Sequence, residues 1–388
     1  MRRIGVVTTS RADYGLLLPV LKRIKAARGL ELALFVSGTH LSGRHGMTVR
    51  AIEADGFPIA ARVPLPLQSN SPEAVAKAMG RATSGFAGVY GKHRPDILLV
   101  LGDRFEMHAA ACAAVPFGIP IAHVHGGEIT LGAMDDQFRH SLTKLSHLHF
   151  AATKEYAKRI TRMGEEPWRV TVSGAPGLDN LRTMRLLSKR QIELRYGIDL
   201  SMPAILVTFH PVTLEQDNTE IYIDRLLEAL ERLRGCHFVF TAPNADPGAS
   251  VIRKRILRFV GSSERAFFVE NFGTQGYLSM MARAAAMAGN SSSGILEAAS
   301  FRLPVVNIGT RQEGRTRGRN VIDTGYGAKQ IGAALCKALS NEFRASLTNL
   351  RNPYGDGHAA KRIVSILDGL DPARLMPKRF HDPDAGTS

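Results

Sequence analysis

The chain of 388 residues is poor in cysteine and has no long apolar run, and each absence argues against a class of protein. Its three cysteines, Cys112, Cys236 and Cys336, lie far apart within apolar segments, so we expect neither a disulfide framework nor a zinc site. No run of about 18 apolar residues occurs, so no membrane span is expected. The first apolar run, "IGVV", is too short for the hydrophobic part of a signal peptide, and the default expectation is a cytoplasmic protein.

Aromatic side chains are also scarce, with one tryptophan and eight tyrosines. So few rings leave little that could stack against nucleic-acid bases. The formal net charge of +15 favours anionic partners, but the lysines and arginines are spread along the chain. We therefore expect no nucleic-acid partner, and we interpret the charge as a solvated surface or as suited to phosphorylated small molecules.

Two common nucleotide-binding signatures are missing as well. The segment after the first predicted strand, "TTSRADYG", lacks the pattern G-x-G-x-x-G, and no G-x-x-x-x-G-K-[ST] occurs in the chain. Binding of NAD through the first pattern and phosphoryl transfer on a P-loop are therefore not expected.

Short apolar runs alternate with helix-like segments, and hydrophobic residues make up 44% of the chain. Strands that are apolar on both faces and separated by helices indicate parallel sheets covered on both sides. The pattern pauses near residue 190 and restarts, which predicts an α/β fold of two doubly wound, Rossmann-like domains. We predict a first domain over residues 1–185, a second over 186–370 and a poorly ordered polar tail over 371–388. The predicted strands lie in "RIGVVTT", "ELALFVSG", "DILLVLGD", "PIAHVHGG", "LHFAAT", "RVTVSG", "AILVTFHP", "HFVFTAPN", "AFFVEN", "AAMAGNS" and "PVVNIG".

Polar clusters directly follow six of these strands. Ligands of open parallel sheets bind at the carboxyl ends of the strands, so the two domains are expected to form a cleft that contains an active site. The six clusters are "TTSRADYG", "GDRFE", "HGGE", "HP", "PNADPG" and "GNSSSG".

In the second domain, the segment "GNSSSGILEAA" predicts a turn that opens a helix. Its serines and backbone N–H groups suit a phosphate, and serine capping of the helix is the alternative. Arg311 follows and has the geometry to clamp a diphosphate. Glu297 is either an acceptor for a ribose diol or a solvated helix acid. His210 follows a strand directly, where a catalytic and a structural role are equally favoured.

In the first domain, Arg11 lies at the end of the first strand, where a guanidinium suits a phosphate. Asp13 beside it either caps the next helix or has a role in the site. Asp103 lies at the mouth of a buried strand, and helix capping is again the alternative. Glu128 lies in a glycine-containing loop and is not explained by capping.

Asp135, Asp136 and Arg139 lie at the start of a predicted helix. Asp135 and Arg139 are four residues apart, which places them on one helix face. Acids in a first helical turn are typical of capping, so spacing alone slightly favours capping over catalysis.

With these residues in view, the chain resembles the hydrolysing UDP-N-acetylglucosamine 2-epimerases of bacterial sialic-acid pathways. The resemblance covers about residues 1–365 and is highly specific when its motifs are taken together, while the non-hydrolysing epimerases are more distant. The motifs are "SRADYG", "SGTHLS", "GDRFE", "HVHGGE", "DDQFRHSLTKLSHLHF", "SGAPGLDN", "TFHPVT", "GNSSSGILE" and "NIGTRQEGR".

The resemblance implies a glycosyltransferase-B-type fold and a reaction in two stages. Removal of the C2 proton of UDP-N-acetylglucosamine and anti elimination of UDP would give a 2-acetamidoglucal, and hydration would then give N-acetylmannosamine. It implies no cofactor, no catalytic metal and a homo-oligomer, dimeric or tetrameric. The implied catalytic residues are Asp103, Glu128, Asp135 and His210. The implied substrate-binding residues are Arg11, Asp13, His40, His125, Arg139, Asn244, Ser291, Ser292, Glu297 and Arg311.

Several alternatives stay open at this point. The register between Asp135 and Asp136 is not fixed, and neither is the carboxylate that acts as the base. The sugar is a UDP-2,4-diacetamido-2,4,6-trideoxyhexose in the main alternative, with UDP-N-acetylglucosamine favoured. A glycosyltransferase is less favoured, because it needs an acceptor groove and "HGGE" together with "DDQFRH" would be unusual there. A nucleotide-sugar sensor is less favoured, because all the implied carboxylates are present.

Overall fold

The computed structural model describes residues 1–65, 71–130, 134–243 and 248–382. The chain divides into two compact units, Met1–Arg182 with Tyr354–Ser388 and Thr183–Pro353. Within the described ranges, no helix combines the length and the apolar character that crossing a membrane requires.

The first unit is built on a seven-stranded parallel sheet with the order β3-β2-β1-β4-β5-β6-β7. Its strands are β1 (Arg2–Thr8), β2 (Leu30–Ser37), β3 (Ile59–Val63), β4 (Ile97–Leu101), β5 (Ile121–Val124), β6 (Leu148–Ala151) and β7 (Val170–Val172). Its helices are α1 (Arg11–Ala26), α2 (Val49–Ala54), α3 (Pro72–Lys92), α4 (Phe105–Ala114), α5 (Met134–Leu145), α6 (Lys154–Arg162), α7 (Asp179–Thr183, which runs one residue into the second unit) and, after the second unit, α15 (Ala359–Gly369).

The second unit is built on a six-stranded parallel sheet with the order β10-β9-β8-β11-β12-β13, which is the order of a dinucleotide-binding fold. Its strands are β8 (Ala204–Thr208), β9 (His237–Thr241), β10 (Ala266–Val269), β11 (Ala286–Gly289), β12 (Val305–Ile308) and β13 (Val321–Thr324). Its helices are α8 (Lys189–Tyr196), α9 (Thr219–Arg232), α10 (Ala249–Gly261), α11 (Gly273–Met281), α12 (Ser292–Leu296), α13 (Ala328–Leu339) and α14 (Asn341–Ser346).

Burial on both faces explains why the central strands are continuously apolar. Every residue of β4, "ILLVL", is buried, and the side chains alternate between the two hydrophobic clusters of the first sheet. Leu99 joins the cluster that contains α1, and Leu98 joins the cluster that contains α3 and α4. Each such leucine stabilises the fold by roughly 1.5–3 kcal/mol relative to an exposed one. The strand order reverses between β1 and β4 in the first sheet and between β8 and β11 in the second. Candidate residues follow the carboxyl ends of these four strands.

The observed division of the chain differs from the predicted one at its carboxyl end. Residues 354–382 belong to the first unit, because α15 packs on α1 and Asp179 accepts hydrogen bonds from the backbone N–H groups of Ala359 and Ala360, both at 2.9 Å. Residues 371–382, which belong to the predicted poorly ordered tail, pack there as well, since Leu375 is buried and Lys378 pairs with Glu165 at 2.8 Å. The remaining tail residues lie outside the described residues. The apolar stripe of α15 predicts that one face of the helix is buried, but it does not predict which of the two sheets that face packs against.

Candidate active site

Asp13 is a helix-capping residue in the structure. Its carboxylate accepts hydrogen bonds from the hydroxyl of Thr8 and from the backbone N–H groups of Thr9 (3.1 Å) and Ser10 (2.9 Å). Ser10 in turn caps α1 by accepting from the N–H of Asp13, which completes a capping box. The capping alternative for Asp13 is therefore realised, and its contact with a sugar stays a prediction.

His40 is completely buried beside Asp13, and threonine hydroxyls lie at both of its ring nitrogens. Nε2 lies 3.0 Å from Oγ1 of Thr8, and Nδ1 lies 2.8 Å from Oγ1 of Thr48. Burial lowers the pKa of His40, so the ring is neutral at pH 7. His40 and the exposed Arg11 also line a cavity of about 350 Å³ in this unit.

Asp103, at the end of β4, forms an ion pair with Arg139. The guanidinium is almost fully buried and also donates to Oγ1 of Thr130 at 3.0 Å and to Oδ1 of Asp136 at 3.5 Å. Arg104, not Asp103, occupies the cap position of α4, and its side chain makes no capping hydrogen bond. The capping alternative for Asp103 is thus not realised, and Arg139 fixes the orientation of the carboxylate.

Asp135 and Asp136 have different surroundings in the first turn of α5. Asp136 accepts from the N–H of Thr130 at 2.8 Å and pairs with Arg139, the arginine that was expected to share a helix face with Asp135. Asp135 is half-buried, and burial raises the pKa of its carboxyl against the opposing effect of Arg104. Burial thus favours the protonated form of Asp135 more than it would for an exposed carboxyl.

Sequence reasoning missed the pair Arg104 and Glu106, which belongs to the same cluster. Arg104 binds both oxygens of the buried Glu106, with Nη2 to Oε1 at 2.7 Å and Nε to Oε2 at 3.1 Å. Burial alone would lower the pKa of Arg104, but Glu106, and after it the charges of Asp13 and Asp135, raise it. The signal was present in "GDRFE", because an acid two residues after an arginine at a strand end allows this bidentate pairing.

The segment "HGGE" after β5 forms a tight turn that presents Glu128. Glu128 is buried, and its Oε1 lies 2.6 Å from Nδ1 of His125. His125 has a left-handed backbone conformation, with a φ of +66°, which costs a non-glycine residue roughly 1–3 kcal/mol. Gly127 has a φ of +75°, and a Cβ there would lie 2.5 Å from the carbonyl oxygen of Tyr156, so only glycine fits. The turn therefore fixes the pair of His125 and Glu128.

In the second unit, His210 follows β8 and is held by the side chain of Asn290, a residue that sequence reasoning missed. Asn290 accepts from the backbone N–H of His210 at 2.7 Å and donates to its carbonyl oxygen at 2.8 Å. His210 is buried, and burial together with the charge of Arg311 lowers its pKa to about 3. The imidazole is therefore neutral at pH 7, so it can donate a hydrogen bond but carries no positive charge.

The serine-rich turn follows β11 directly. Ser291 caps the short helix α12 by accepting from the N–H of Ser293 at 3.3 Å, Ser292 begins the helix and Glu297 ends it. Capping of α12 by Ser291 is therefore realised, which leaves a contact between its hydroxyl and a phosphate as a prediction.

The carbonyl oxygen of Asn290 binds the side chains of two residues that follow β12. Arg311 donates to it at 3.2 Å and Gln312 donates to it at 2.9 Å. Asn244, the remaining candidate of the second unit, lies outside the described residues. Among the side chains that the structure describes, no group of three or more His, Cys, Asp or Glu residues has the arrangement of a metal site.

Known proteins with similar sequences cover nearly the whole chain. It is 38% identical over 367 residues to a protein of Legionella pneumophila named UDP-N,N'-diacetylbacillosamine 2-epimerase (hydrolyzing), covering 95% of this chain and 96% of that one. It is 36% identical to a GDP/UDP-N,N'-diacetylbacillosamine 2-epimerase (hydrolyzing) of Campylobacter jejuni, covering 98% of this chain and 99% of that one.

Solved structures support the fold class. The UDP-GlcNAc 2-epimerase of Neisseria meningitidis, solved with UDP-GlcNAc, aligns over 95% of this chain and 99% of its own, with a TM-score of 0.80 at 21% identity. A glycosyltransferase, that of kitacinnamycin, aligns over 97% of this chain and 99% of its own, with a TM-score of 0.61 at 13% identity. The predicted pair of Rossmann-like, doubly wound domains of glycosyltransferase-B type is confirmed. The family profile described as UDP-N-acetylglucosamine 2-epimerase matches residues 22–368, and the chain belongs to this family.

Proposed function

We propose that the protein is a hydrolysing 2-epimerase that acts on a UDP-2,4-diacetamido-2,4,6-trideoxyhexose and releases UDP and the free sugar epimerised at C2. The observation that carries this proposal is the 38% identity, over 95% of the chain, to a hydrolysing epimerase named for UDP-N,N'-diacetylbacillosamine. The similar protein of Campylobacter jejuni has the same sugar in its name, which supports the same choice. The substrate favoured by sequence analysis, UDP-N-acetylglucosamine, is the second candidate, since the family description names it.

The reaction balances with water as the only other reactant. A carboxylate removes the C2 proton, the C1–O bond breaks with its electron pair going to UDP, and a C1–C2 double bond forms. Water then adds its oxygen to C1 while C2 receives a proton on the opposite face, which inverts C2. The C2 proton beside an acetamido group is weakly acidic, so its removal must be coupled to stabilisation of the departing diphosphate.

Two carboxylates of the first unit suit the two proton-transfer roles. Arg139 holds a permanent positive charge against Asp103, which favours an ionised carboxylate that accepts the C2 proton. Burial raises the pKa of Asp135, which favours a protonated carboxyl that supplies a proton. Glu128, buried beside His125, is the third catalytic carboxylate in this proposal.

The second unit supplies the groups that hold UDP. Arg311 and the hydroxyls of Ser291 and Ser292 bind the diphosphate, and Glu297 accepts from the ribose. His210 is neutral, so it donates a hydrogen bond to the leaving oxygen without a permanent charge. Because the charge on UDP increases as the C1–O bond breaks, these donors stabilise the transition state more than the substrate.

The experiment compares the two sugars directly. The purified protein is incubated with each UDP-sugar, and the rate of UDP release gives kcat/KM for each. We expect the diacetamido substrate to have the higher kcat/KM. The opposite order would assign the protein to UDP-N-acetylglucosamine, and an absence of UDP release from both would contradict the proposed reaction.

A further inference from the structure

Glu215 lies five residues after His210, and no role was assigned to it from the sequence. It belongs to a short 3-10 helix, Thr213–Asn218, that follows β8. Its Oε1 accepts a hydrogen bond from Oγ1 of Thr310 at 2.6 Å, and its Oε2 accepts from the hydroxyl of Tyr222 at 2.8 Å. Burial alone would raise the pKa of Glu215, but the hydroxyls of Thr310, Tyr222 and the nearby Tyr326 lower it.

The two tyrosines form a rigid support for this carboxylate. The rings of Tyr222 and Tyr326 are stacked, with centroids 3.5 Å apart and an interplanar angle of 1°. The hydroxyl of Tyr326 also accepts from the backbone N–H of Thr310 at 3.2 Å. Gly309 passes against the Tyr326 ring with a φ of +74°, and a Cβ at this position would overlap the ring. We call Glu215, Tyr222, Thr310 and Tyr326 the Glu215 clasp.

The clasp joins the two loops that carry His210 and Arg311. Arg311 directly follows Thr310, and the carbonyl oxygen that it contacts belongs to Asn290, whose side chain holds the backbone of His210. The two loops are thus connected twice, through Asn290 on the buried side and through Glu215 on the more exposed side. The connection at Asn290 fixes the backbone of His210, whereas the connection at Glu215 fixes the residue that precedes Arg311.

We propose that Glu215 is a positioning residue that holds the loop of Arg311 in the conformation that binds the diphosphate of UDP. This inference rests on the proposed function, because it assigns UDP to Arg311. A loop without the clasp populates other conformations, and the apparent affinity falls by the fraction of molecules that remain competent. Both donors to Glu215 are hydroxyl groups, which can also accept a hydrogen bond from an amide, so a glutamine at position 215 keeps most of the clasp and an alanine removes it.

The test compares Glu215→Ala, Glu215→Gln and Tyr326→Phe by calorimetric titration with UDP and by steady-state kinetics. We expect Glu215→Ala to weaken UDP binding and raise KM by about tenfold, with a smaller change in kcat. Glu215→Gln should bind UDP nearly as well as the unchanged protein. Tyr326→Phe keeps the stacked rings and removes one hydroxyl, so it should have an intermediate affinity. Glu228→Ala is the matched control and should change neither constant, because Glu228 is a half-buried acid on α9 that pairs with Arg225 and Arg232.

The outcomes separate the clasp from the reaction. Unchanged UDP affinity and KM in folded Glu215→Ala and Tyr326→Phe proteins would overturn the clasp. Equal weakening by Glu215→Gln and Glu215→Ala would overturn it as well, because the clasp predicts rescue by glutamine. If Glu215→Ala does not fold, Tyr326→Phe and Glu215→Gln decide. Weakened UDP binding in a protein that turns over neither sugar would support the clasp while contradicting the reaction, and a protein that does not bind UDP would overturn both.

Discussion

Asp13 and Asp103 each lie just beyond a parallel strand of the first unit, yet their carboxylates have different partners. Asp13 is surrounded by short donors of its own segment, from Thr8 to Ser10, and completes the capping box of α1. Asp103 makes no capping contact and faces the buried guanidinium of Arg139. The residue type and its place after a strand are the same, and the side chains available nearby determine the role.

At the residue scale, Asp103→Asn should abolish UDP release from the UDP-sugar while UDP still binds. Asparagine has the shape of aspartate and still accepts a hydrogen bond from Arg139, so the fold is retained while the base is lost. Activity is measured by UDP release, and binding is measured by titration with UDP. An active Asp103→Asn enzyme would contradict the assignment of this residue as a catalytic carboxylate.

Arg311→Ala should mainly weaken the binding of UDP. Loss of a charge-assisted contact to a phosphate costs about 1.5–3 kcal/mol, which corresponds to roughly a 10- to 150-fold weaker Kd. Inhibition of the reaction by added UDP gives this constant directly. Arg317→Ala is the matched control, because that arginine pairs with Asp323 at 2.8 Å and should not contact UDP. Unchanged inhibition by UDP in Arg311→Ala would count against the assignment.

At the element scale, burial explains why the central strands were predictable from the sequence. The strands predicted from apolar runs are confirmed, because strands such as β4 and β8 are buried on both faces and must be continuously apolar. The edge strands β3 and β13 were missed; both are only partly buried, and "VIDT" includes an exposed aspartate. Partial burial is not the whole reason, because the edge strand β7 is no better buried and was predicted from "RVTVSG". Helix α15 was assigned to the wrong unit, because its contact with Asp179 joins residues 180 positions apart.

The candidate site was also predictable only in part. The strand ends identified Asp103, Glu128 and His210, because a position at the carboxyl end of a strand can be read from the apolar pattern. Sequence reasoning missed Arg104, Asn290 and Glu215, whose roles depend on partners. Asn290, for example, matters because its amide reaches the backbone of His210, which lies 80 residues earlier in the chain.

The docking of α15 on the first unit predicts a measurable loss of stability. Ile363 is completely buried in the hydrophobic cluster that contains α1, so Ile363→Ala should reduce the free energy of unfolding by about 2–5 kcal/mol. Lys361→Ala on the exposed side of the same helix is the control and should have little effect. Both changes are measured by urea unfolding. Equal stability of the two variants would contradict the packing of α15 described above.

At the scale of the whole molecule, buried histidines predict sensitivity to mild acid. Burial is the largest cause that lowers the pKa of His123 and His210 to about 3 and that of His147 to about 4, from 6.5 in the unfolded chain. As the pH falls, these histidines therefore bind protons in the unfolded chain before they do so in the folded protein. The stability that they contribute is complete above pH 6.5 and is lost as the pH falls towards 4. At pH 5 each of these histidines lowers the free energy of unfolding by about 2 kcal/mol relative to its value above pH 6.5.

Unfolding by urea at several pH values checks this expectation. The midpoint should fall steadily between pH 6.5 and pH 4, before most carboxylates with ordinary pKa values are protonated. A midpoint that is constant from pH 7 to pH 5 would contradict burial of these histidines in the neutral form. In His210→Asn, the midpoint should fall less steeply with pH, because one of the three histidines no longer contributes.

The central claim is the reaction itself, and proton exchange at C2 tests it most directly. The protein is incubated in deuterated water with UDP-2,4-diacetamido-2,4,6-trideoxyglucose and, separately, with UDP-N-acetylglucosamine, and the products are followed by NMR. We expect free sugar with inverted configuration and deuterium at C2, together with one equivalent of UDP, formed faster from the diacetamido substrate. An intact UDP-sugar as the only product, or free sugar that retains its original C2 hydrogen, would contradict it.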